Sequence, residues 1–405
     1  MNTLNDLRTE RWLLPDGVNE LMPEDAWRVE SLRRQIMDSC RCWGYQLVMP
    51  PLIEYLDSLL TGTGETLDLQ TFKLIDQHNG RSLGIRADMT PQVARIDAHA
   101  LRGDEPNRLF YTGSVLRART NGAGSRTPLQ FGAELFGHAG ADSDIEIILL
   151  MIDNIMRSGL QVSELLLDVG HVGVYRALVQ QAQLAADDQE ALFQALLRGS
   201  RPEIEEILDS ANAPLQARTH FRRLLTLCGD LHSVLPEARS ALADAGQGVA
   251  DALDNLQSVC KRVQTAHPEL KVHLDLAELR GYRYHTGMLF SLYDQHGSVL
   301  AHGGRYDAIG KSFGRARAAT GFSGDLIKLA LNRQSSESRC SQALTGVWVA
   351  AEQVVEAWPE VLRLRALGER VVVGLRGSST TPSDSHCDRT LVLRNGRWVA
   401  EPRVS

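Results

Sequence analysis

Lysine is scarce in this chain. Five of its 405 residues are Lys (Lys73, Lys261, Lys271, Lys311 and Lys328), and Arg supplies the other 38 cations. No run of five or more basic residues occurs, and the formal net charge is −7. Nucleic-acid binding draws much of its affinity from neutralising phosphates, so tRNA is a disfavoured partner and none is expected. Cysteine is sparse as well: the six at 40, 42, 228, 260, 340 and 387 contain no CxxC pair. Scattered thiols of this kind read as reduced, with no metal site. No apolar run approaches the ~18–20 residues of a membrane span. The opening Met1-Asn2-Thr3-Leu4-Asn5-Asp6 lacks a basic segment followed by an apolar one. A cytoplasmic chain, off the membrane, is therefore expected.

What is present is an ordinary globular composition, 43% apolar and 23% charged, in a length that suggests two or three domains. Residues 1–137 alternate helical and extended patterns. Val29, Leu32, Ile36, Cys40 and Trp43 form a helical stripe closed by Gly44. Tyr45–Met49 reads as a strand stopped by Pro50-Pro51. Phe72–Asp76 and Ser82–Arg86 flank a hairpin signal at Asn79-Gly80, Thr90-Pro91 starts a helix, Arg108–Arg119 and Gln130–Gly137 look extended, and 142–158 is an apolar helix. After a strand at 165–169, residues 174–264 read as a helical insertion. Strands return at 271–275, 288–293 and 298–302. Residues 332–343 are a polar linker. Residues 344–405 suggest a small α/β domain with a hairpin at Asn395-Gly396.

Four segments carry chemistry. In a strand over Gln130–Gly137, Gln130, Gly132 and Glu134 share a face. An amide and a carboxylate about 13 Å apart, with Gly between them, leave room for a small ligand with polar ends. On that segment alone, an exposed sheet face is the simpler reading. Arg86-Ala87-Asp88-Met89-Thr90 places a carboxylate and a hydroxyl at a strand-to-helix junction, fit for an ammonium group or for plain helix capping. Arg280-Gly281-Tyr282-Arg283-Tyr284-His285 is dense in Arg, Tyr and His, and Arg can fork onto a carboxylate or phosphate. His302-Gly303-Gly304-Arg305-Tyr306-Asp307 leaves a strand, with Gly321–Lys328 following. The Gly pair alone is weak, and it forms neither a Walker nor a GxGxxG loop.

Together these segments resemble the catalytic core of histidyl-tRNA synthetase over about residues 12–331, with all three class II motif regions in order. The resemblance implies an α+β fold: a class II aminoacyl-tRNA synthetase-like antiparallel sheet flanked by helices (residues 1–331), a helical insertion and a small C-terminal α/β domain (344–405). The departures are informative. In motif 2 the family's Arg-x-Glu, whose Glu helps hold adenine, reads Arg117-Ala118-Arg119. The Arg that ends motif 3 and grips the γ-phosphate is Lys328, which lacks a bidentate fork. Arg-Gly-Leu-Asp-Tyr-Tyr has become Arg280 to His285, and Arg-Pro-Glu has become Arg86-Ala87-Asp88. These changes imply a degenerate ATP site at Arg117, Arg119 and Lys328.

The amino-acid pocket is better kept. The resemblance implies that Asp88, Thr90 and Gln130 meet the ammonium of histidine, Glu134 and Tyr306 its imidazole with Tyr284 and His285 nearby, and Arg280 its carboxylate. Amino-acid recognition without ATP recognition is similar to the regulatory subunits of ATP phosphoribosyltransferase, paralogues of the synthetase. That resemblance implies a non-catalytic subunit with no cofactor. It would dimerise, join a short-form catalytic subunit in a hetero-octamer, activate the first step of histidine biosynthesis and mediate feedback inhibition by histidine. The alternative is an active histidyl-tRNA synthetase.

Overall fold

The computed structural model describes residues 13–62, 65–101, 103–120, 124–279, 281, 284–332, 345–378 and 386–403. The expected linker falls almost wholly outside them, as does Arg280. The chain divides into two compact units, Met1–Ser335 and Ser336–Ser405.

The first unit starts with helix α1, Pro23–Cys42, which has Pro at its first position and Glu24 and Asp25 in its first turn. Pro there loses no helical hydrogen bond, and the acids complement the helix dipole. Val29, Leu32, Ile36 and Cys40 are its buried stripe, while Cys42 faces solvent. Gly44 at φ +83° ends it, a conformation that suits Gly.

Twelve strands of this unit are described: β1 (Gln46–Leu47), β2 (Ile53–Tyr55), β3 (Phe72–Ile75), β4 (Ser82–Ile85), β5 (Asn107–Ser114), β6 (Leu129–Phe136), β7 (Leu165–His171), β8 (Cys228–Asp230), β9 (Lys271–Asp275), β10 (Met288–Asp294), β11 (Val299–Arg305) and β12 (Ala319–Asp325). Nine of them form one sheet in the order β1-β5-β6-β12-β11-β10-β7-β9-β8. The pairs β1/β5 and β7/β9 are parallel, and the others antiparallel. The expected strand over Tyr45–Met49 shrinks to two residues, as Pro50-Pro51 follows closely and cannot extend a ladder. Strands β2, β4 and β3 make a separate three-stranded sheet in that order.

Register decides which side chains share a face. Phe131, Ala133 and Leu135 of β6 enter the hydrophobic core with α1 and the helix Ala141–Met156. Burial of each large apolar side chain contributes about 1.5–3 kcal/mol. The opposite face carries Gln130, Gly132 and Glu134, opposite Gly113, Tyr111 and Leu109 of β5 and Asp325, Ser323 and Gly321 of β12. The sheet is therefore covered on both faces: Phe131, Ala133 and Leu135 meet the first core, and the side that carries Gln130 and Glu134 lies against a second buried cluster with Met89, Val93, Leu109, Tyr111 and Tyr306.

Between β7 and β9 the chain forms Val172–Ala182, Ala186–Leu197, Arg201–Ser210, Leu215–Leu224, Leu231–Ala241 and Gln247–Ala266, all helical. The insertion is not purely helical. Cys228–Asp230 leaves it to pair antiparallel with β9 at the sheet edge. Three residues are too few to show a strand period, and pairing rather than local pattern makes them extended.

The second unit contains β13 (Val347–Val349), β14 (Val371–Val373), β15 (Arg389–Arg394) and β16 (Arg397–Pro402), which form a four-stranded sheet ordered β14-β13-β15-β16. The helix Val354–Ala366 packs on it through Ala357, Val361 and Leu364. Asn395 and Gly396 turn the last hairpin at φ +47° and +77°, the paired positive angles of a type I′ turn. Among the described residues no helix is long and apolar enough to cross a membrane.

Candidate functional site

Glu134 is the centre of the face it shares with Gln130. It is 1% exposed, so the reading of this strand as an exposed face is overturned. Three hydroxyls converge on it. Thr90 and Tyr111 each donate to Oε1 at 2.9 Å, and Tyr306 donates to Oε2. Burial pushes the Glu134 carboxyl up to about 8, against those three donors, which favour its charged form. Tyr284 stacks on Tyr306 with ring centroids 5.1 Å apart and 25° between planes. His285 meets Tyr284 edge-on at 5.3 Å. Burial pushes the His285 imidazole down to about 4. The Tyr284 hydroxyl is buried and has no hydrogen-bond partner among the described residues.

A second knot adjoins this one. Gln130 Nε2 donates to Asp88 Oδ1 at 2.8 Å, and its Oε1 accepts from the Met89 amide at 3.0 Å. The Thr90 amide donates to the same Asp88 oxygen at 3.0 Å. Asp88 thus orders the start of the helix Thr90–His99 and also faces Gln130. The structure brings together Asp88, Thr90, Gln130, Glu134, Tyr284, His285 and Tyr306.

Gly132 does not provide the ligand space read from the sequence. A Cβ there would stand 2.5 Å from the Tyr111 hydroxyl and 2.5 Å from the Phe322 carbonyl. The room belongs to Tyr111, a residue that sequence reasoning missed. Its signal was its place two residues past Leu109 on the next strand, opposite Gly132, which only the register reveals. Gly321 has the matching role for Glu134, whose Oε2 lies 1.6 Å from where a Cβ would be.

Arg305 and Asp144, also missed, hold the segment that carries Tyr306. Arg305 Nε and Nη2 reach Asp144 Oδ2 and Oδ1 at 3.1 and 2.9 Å, and Nη2 donates to Ser143 Oγ at 2.7 Å. This is a buried bidentate pair, a strong and geometrically specific contact. Arg86 is structural: its guanidinium donates to the carbonyls of Pro50 and Ser114 at 2.6 and 2.9 Å.

A cleft of about 350 Å³ opens beside His285, lined by Asp168, Gly170, Glu278, Ser291 and His302 among others. Arg117, Arg119 and Lys328, expected from the resemblance to mark an altered ATP site, make none of Glu134's hydrogen bonds. Arg117 is half-buried and Arg119 exposed. Arg119 borders a surface hollow with Asp16, Asn19 and Arg126. Lys328 is exposed and donates to the Val299 carbonyl at 2.8 Å.

The comparisons with known proteins agree with this architecture. A family profile described as histidyl-tRNA synthetase matches residues 17–329. A second, described as the ATP phosphoribosyltransferase subunit HisZ C-terminal domain, matches residues 336–401. A relative from Thioalkalivibrio sulfidiphilus named ATP phosphoribosyltransferase regulatory subunit is 51% identical, covering 95% of this chain and 96% of its own. One of the same name from Chromohalobacter salexigens is 47% identical, covering 97% and 98%. A solved Bacillus halodurans structure titled ATP phosphoribosyltransferase regulatory subunit/histidyl-tRNA synthetase superposes with a TM-score of 0.80 at 28% identity, over 94% of this chain and 97% of that one. A histidyl-tRNA synthetase from a Nostoc species shares the fold, with a TM-score of 0.76 at 14% identity over 96% and 97% of the two chains.

Proposed function

Since the chain belongs to the histidyl-tRNA synthetase family and, over nearly its full length, to the ATP phosphoribosyltransferase regulatory subunits, we propose that it holds histidine in the cluster around Glu134 and passes that occupancy to a short-form catalytic phosphoribosyltransferase. It regulates that enzyme and has no aminoacylation activity of its own. The observation that carries the reading is a contrast. The carboxylate–hydroxyl cluster is complete and buried, while the ATP-gripping positions hold Arg119 and Lys328.

In this reading Asp88, Thr90 and Gln130 receive the ammonium of histidine. Glu134 and Tyr306 receive the imidazole, with Tyr284 and His285 closing over it. The buried Tyr284 hydroxyl, without a partner among the described residues, supports a polar occupant. Arg280, outside the described residues, is assigned the carboxylate by likeness alone. The chain dimerises through the surface around β1, β2 and β3, where Met49, Leu52, Ile53, Tyr55, Leu74 and Ile75 are exposed. A cluster of exposed apolar side chains of this size marks a contact surface. Dimers join the catalytic subunit as a hetero-octamer. Its setting is the cytoplasm, which keeps the free thiols of Cys40, Cys42, Cys228, Cys260 and Cys387 reduced.

Binding and regulation are reciprocal: a typical coupling of about 1–3 kcal/mol changes each affinity ~5–150-fold. Titration calorimetry with histidine tests the pocket. The wild-type chain is expected to bind. Glu134→Ala is expected to bind at least ~10-fold more weakly and to blunt histidine inhibition of the complex, yet still activate it. Equal affinity in the two chains would place histidine elsewhere.

A further inference from the structure

The segment that carries Tyr284 and His285 is held from two sides. The end of β11 holds one. There the Thr286 amide donates to the Arg305 carbonyl at 2.6 Å, and Thr286 Oγ1 accepts from the Asp307 amide at 3.0 Å. The helical insertion holds the other. Its first helix, Val172–Ala182, follows directly from β7. At its start the Val172 amide donates to the Gly287 carbonyl at 3.0 Å. One turn on, Arg176 donates through Nη2 to the His285 carbonyl at 2.7 Å and through Nη1 to the Thr286 carbonyl at 3.4 Å. Two N–H groups of one rigid plane on two successive carbonyls set both the place and the tilt of the segment, which a flexible ammonium would not do.

The residue before Arg176 belongs to the insertion. Tyr175 is buried, with its ring 6.4 Å from that of Phe193 and 6.3 Å from that of Phe221. Those two come from the helices Ala186–Leu197 and Leu215–Leu224. Adjacent residues on a helix point about 100° apart, so one turn grips the insertion on one side and the Tyr284 segment on another. From that segment the contacts run on to the cluster. Tyr284 stacks on Tyr306, and Tyr306 donates to Glu134. His285 lies against β11, where a Cβ on Gly304 would stand 2.6 Å from its Cδ2. His285 and Thr286 are half-buried, so water would satisfy their carbonyls as well. A guanidinium there ties them to the insertion instead.

We propose that Arg176 is a positioning residue, through which the helical insertion sets how closely Tyr284 and His285 close on the Glu134 cluster. It is not among the groups that meet the ligand, and it acts through the segment it holds. The ligand side of this inference rests on the reading of the cluster as a histidine site. The linkage runs both ways. Histidine that draws the segment down steadies the helix Val172–Ala182, and a displacement of the insertion loosens the pocket.

The test uses the full-length chain and Arg176→Met, which keeps an apolar stem and removes the fork. Hydrogen exchange without ligand is expected to be at least ~10-fold faster over residues 284–287 in the variant, with the helix Ala141–Met156 unchanged as the control for the fold. Should that control also speed up, Arg176→Lys, which keeps a cation without the fork, decides in its place. Calorimetry is expected to show histidine bound at least ~10-fold more weakly by the variant. Histidine is also expected to slow exchange across Val172–Ala182 in the wild type, and to lose that effect in the variant. A contact that served stability alone would leave this protection in place. Unchanged exchange at 284–287 overturns the proposal. So does faster exchange there with histidine affinity and helix protection at wild-type values. If the wild type itself binds no histidine, the reading of the cluster as a histidine site fails, and exchange at 284–287 alone decides the role of Arg176.

Discussion

At the scale of single residues, Glu134 makes the pocket sensitive to pH in a direction that can be worked out. Its carboxyl is raised by burial from 4.5 to about 8. Between those values the folded chain keeps a proton that the unfolded chain releases, so stability falls as pH rises. Burial lowers His285 and His171 from 6.5 to about 4. There the unfolded chain binds more protons, and stability rises with pH up to the unfolded value. The two effects oppose one another in mildly acidic solution, and above about pH 6.5 the histidine effect has run its course. Denaturant unfolding of the wild type and Glu134→Gln isolates the Glu134 effect. From about pH 6.5 to about pH 8 the wild type is expected to lose about 1–2 kcal/mol relative to the variant. A pH-independent difference would mean that Glu134 is already ionised in the folded chain.

At the scale of elements, the Glu134 face works because β11 is anchored at its end. Arg305 and Asp144 are 8% and 1% exposed at their side chains and bonded bidentately, which fixes Tyr306 over Glu134. Asp144→Ala removes the bidentate carboxylate from a buried guanidinium and leaves it the longer Asp307 contact at 3.3 Å. The expected cost is about 3 kcal/mol in a urea unfolding curve, since breaking one side of a buried pair is far worse than never having it. A loss under about 1 kcal/mol would show that Ser143 and the His138 and Gly140 carbonyls, which also accept from Arg305, suffice as partners. Much of this layer was legible in the sequence. The alternation in Gln130–Leu135 separated the side of Gln130 and Glu134 from that of Phe131 and Leu135, though Phe136 joins the buried cluster on Glu134's side, and Asn395-Gly396 marked its hairpin. The rest depended on partners distant in sequence. Cys228–Asp230 is a strand only because β9 runs beside it. Tyr111 is a pocket residue only because β5 and β6 align it with Gly132. Arg305 and Asp144 lie 161 residues apart, and nothing local to either foretells the other.

At the scale of the whole molecule, the net charge of −7 and Arg119 in motif 2 both lead away from tRNA charging. A chain with a histidyl-tRNA synthetase fold holds a buried carboxylate, amide and hydroxyls together around Glu134, and its relatives are named regulatory subunits. Such a chain acts through another protein. Its central claim is tested most directly by measuring phosphoribosyl-ATP formation from ATP and phosphoribosyl pyrophosphate by a short-form catalytic subunit, with and without this chain, and then with histidine added. The rate is expected to rise when the chain is added and to fall again with histidine. A rate unaffected by the chain, with the two proteins eluting separately on sizing, would contradict the account.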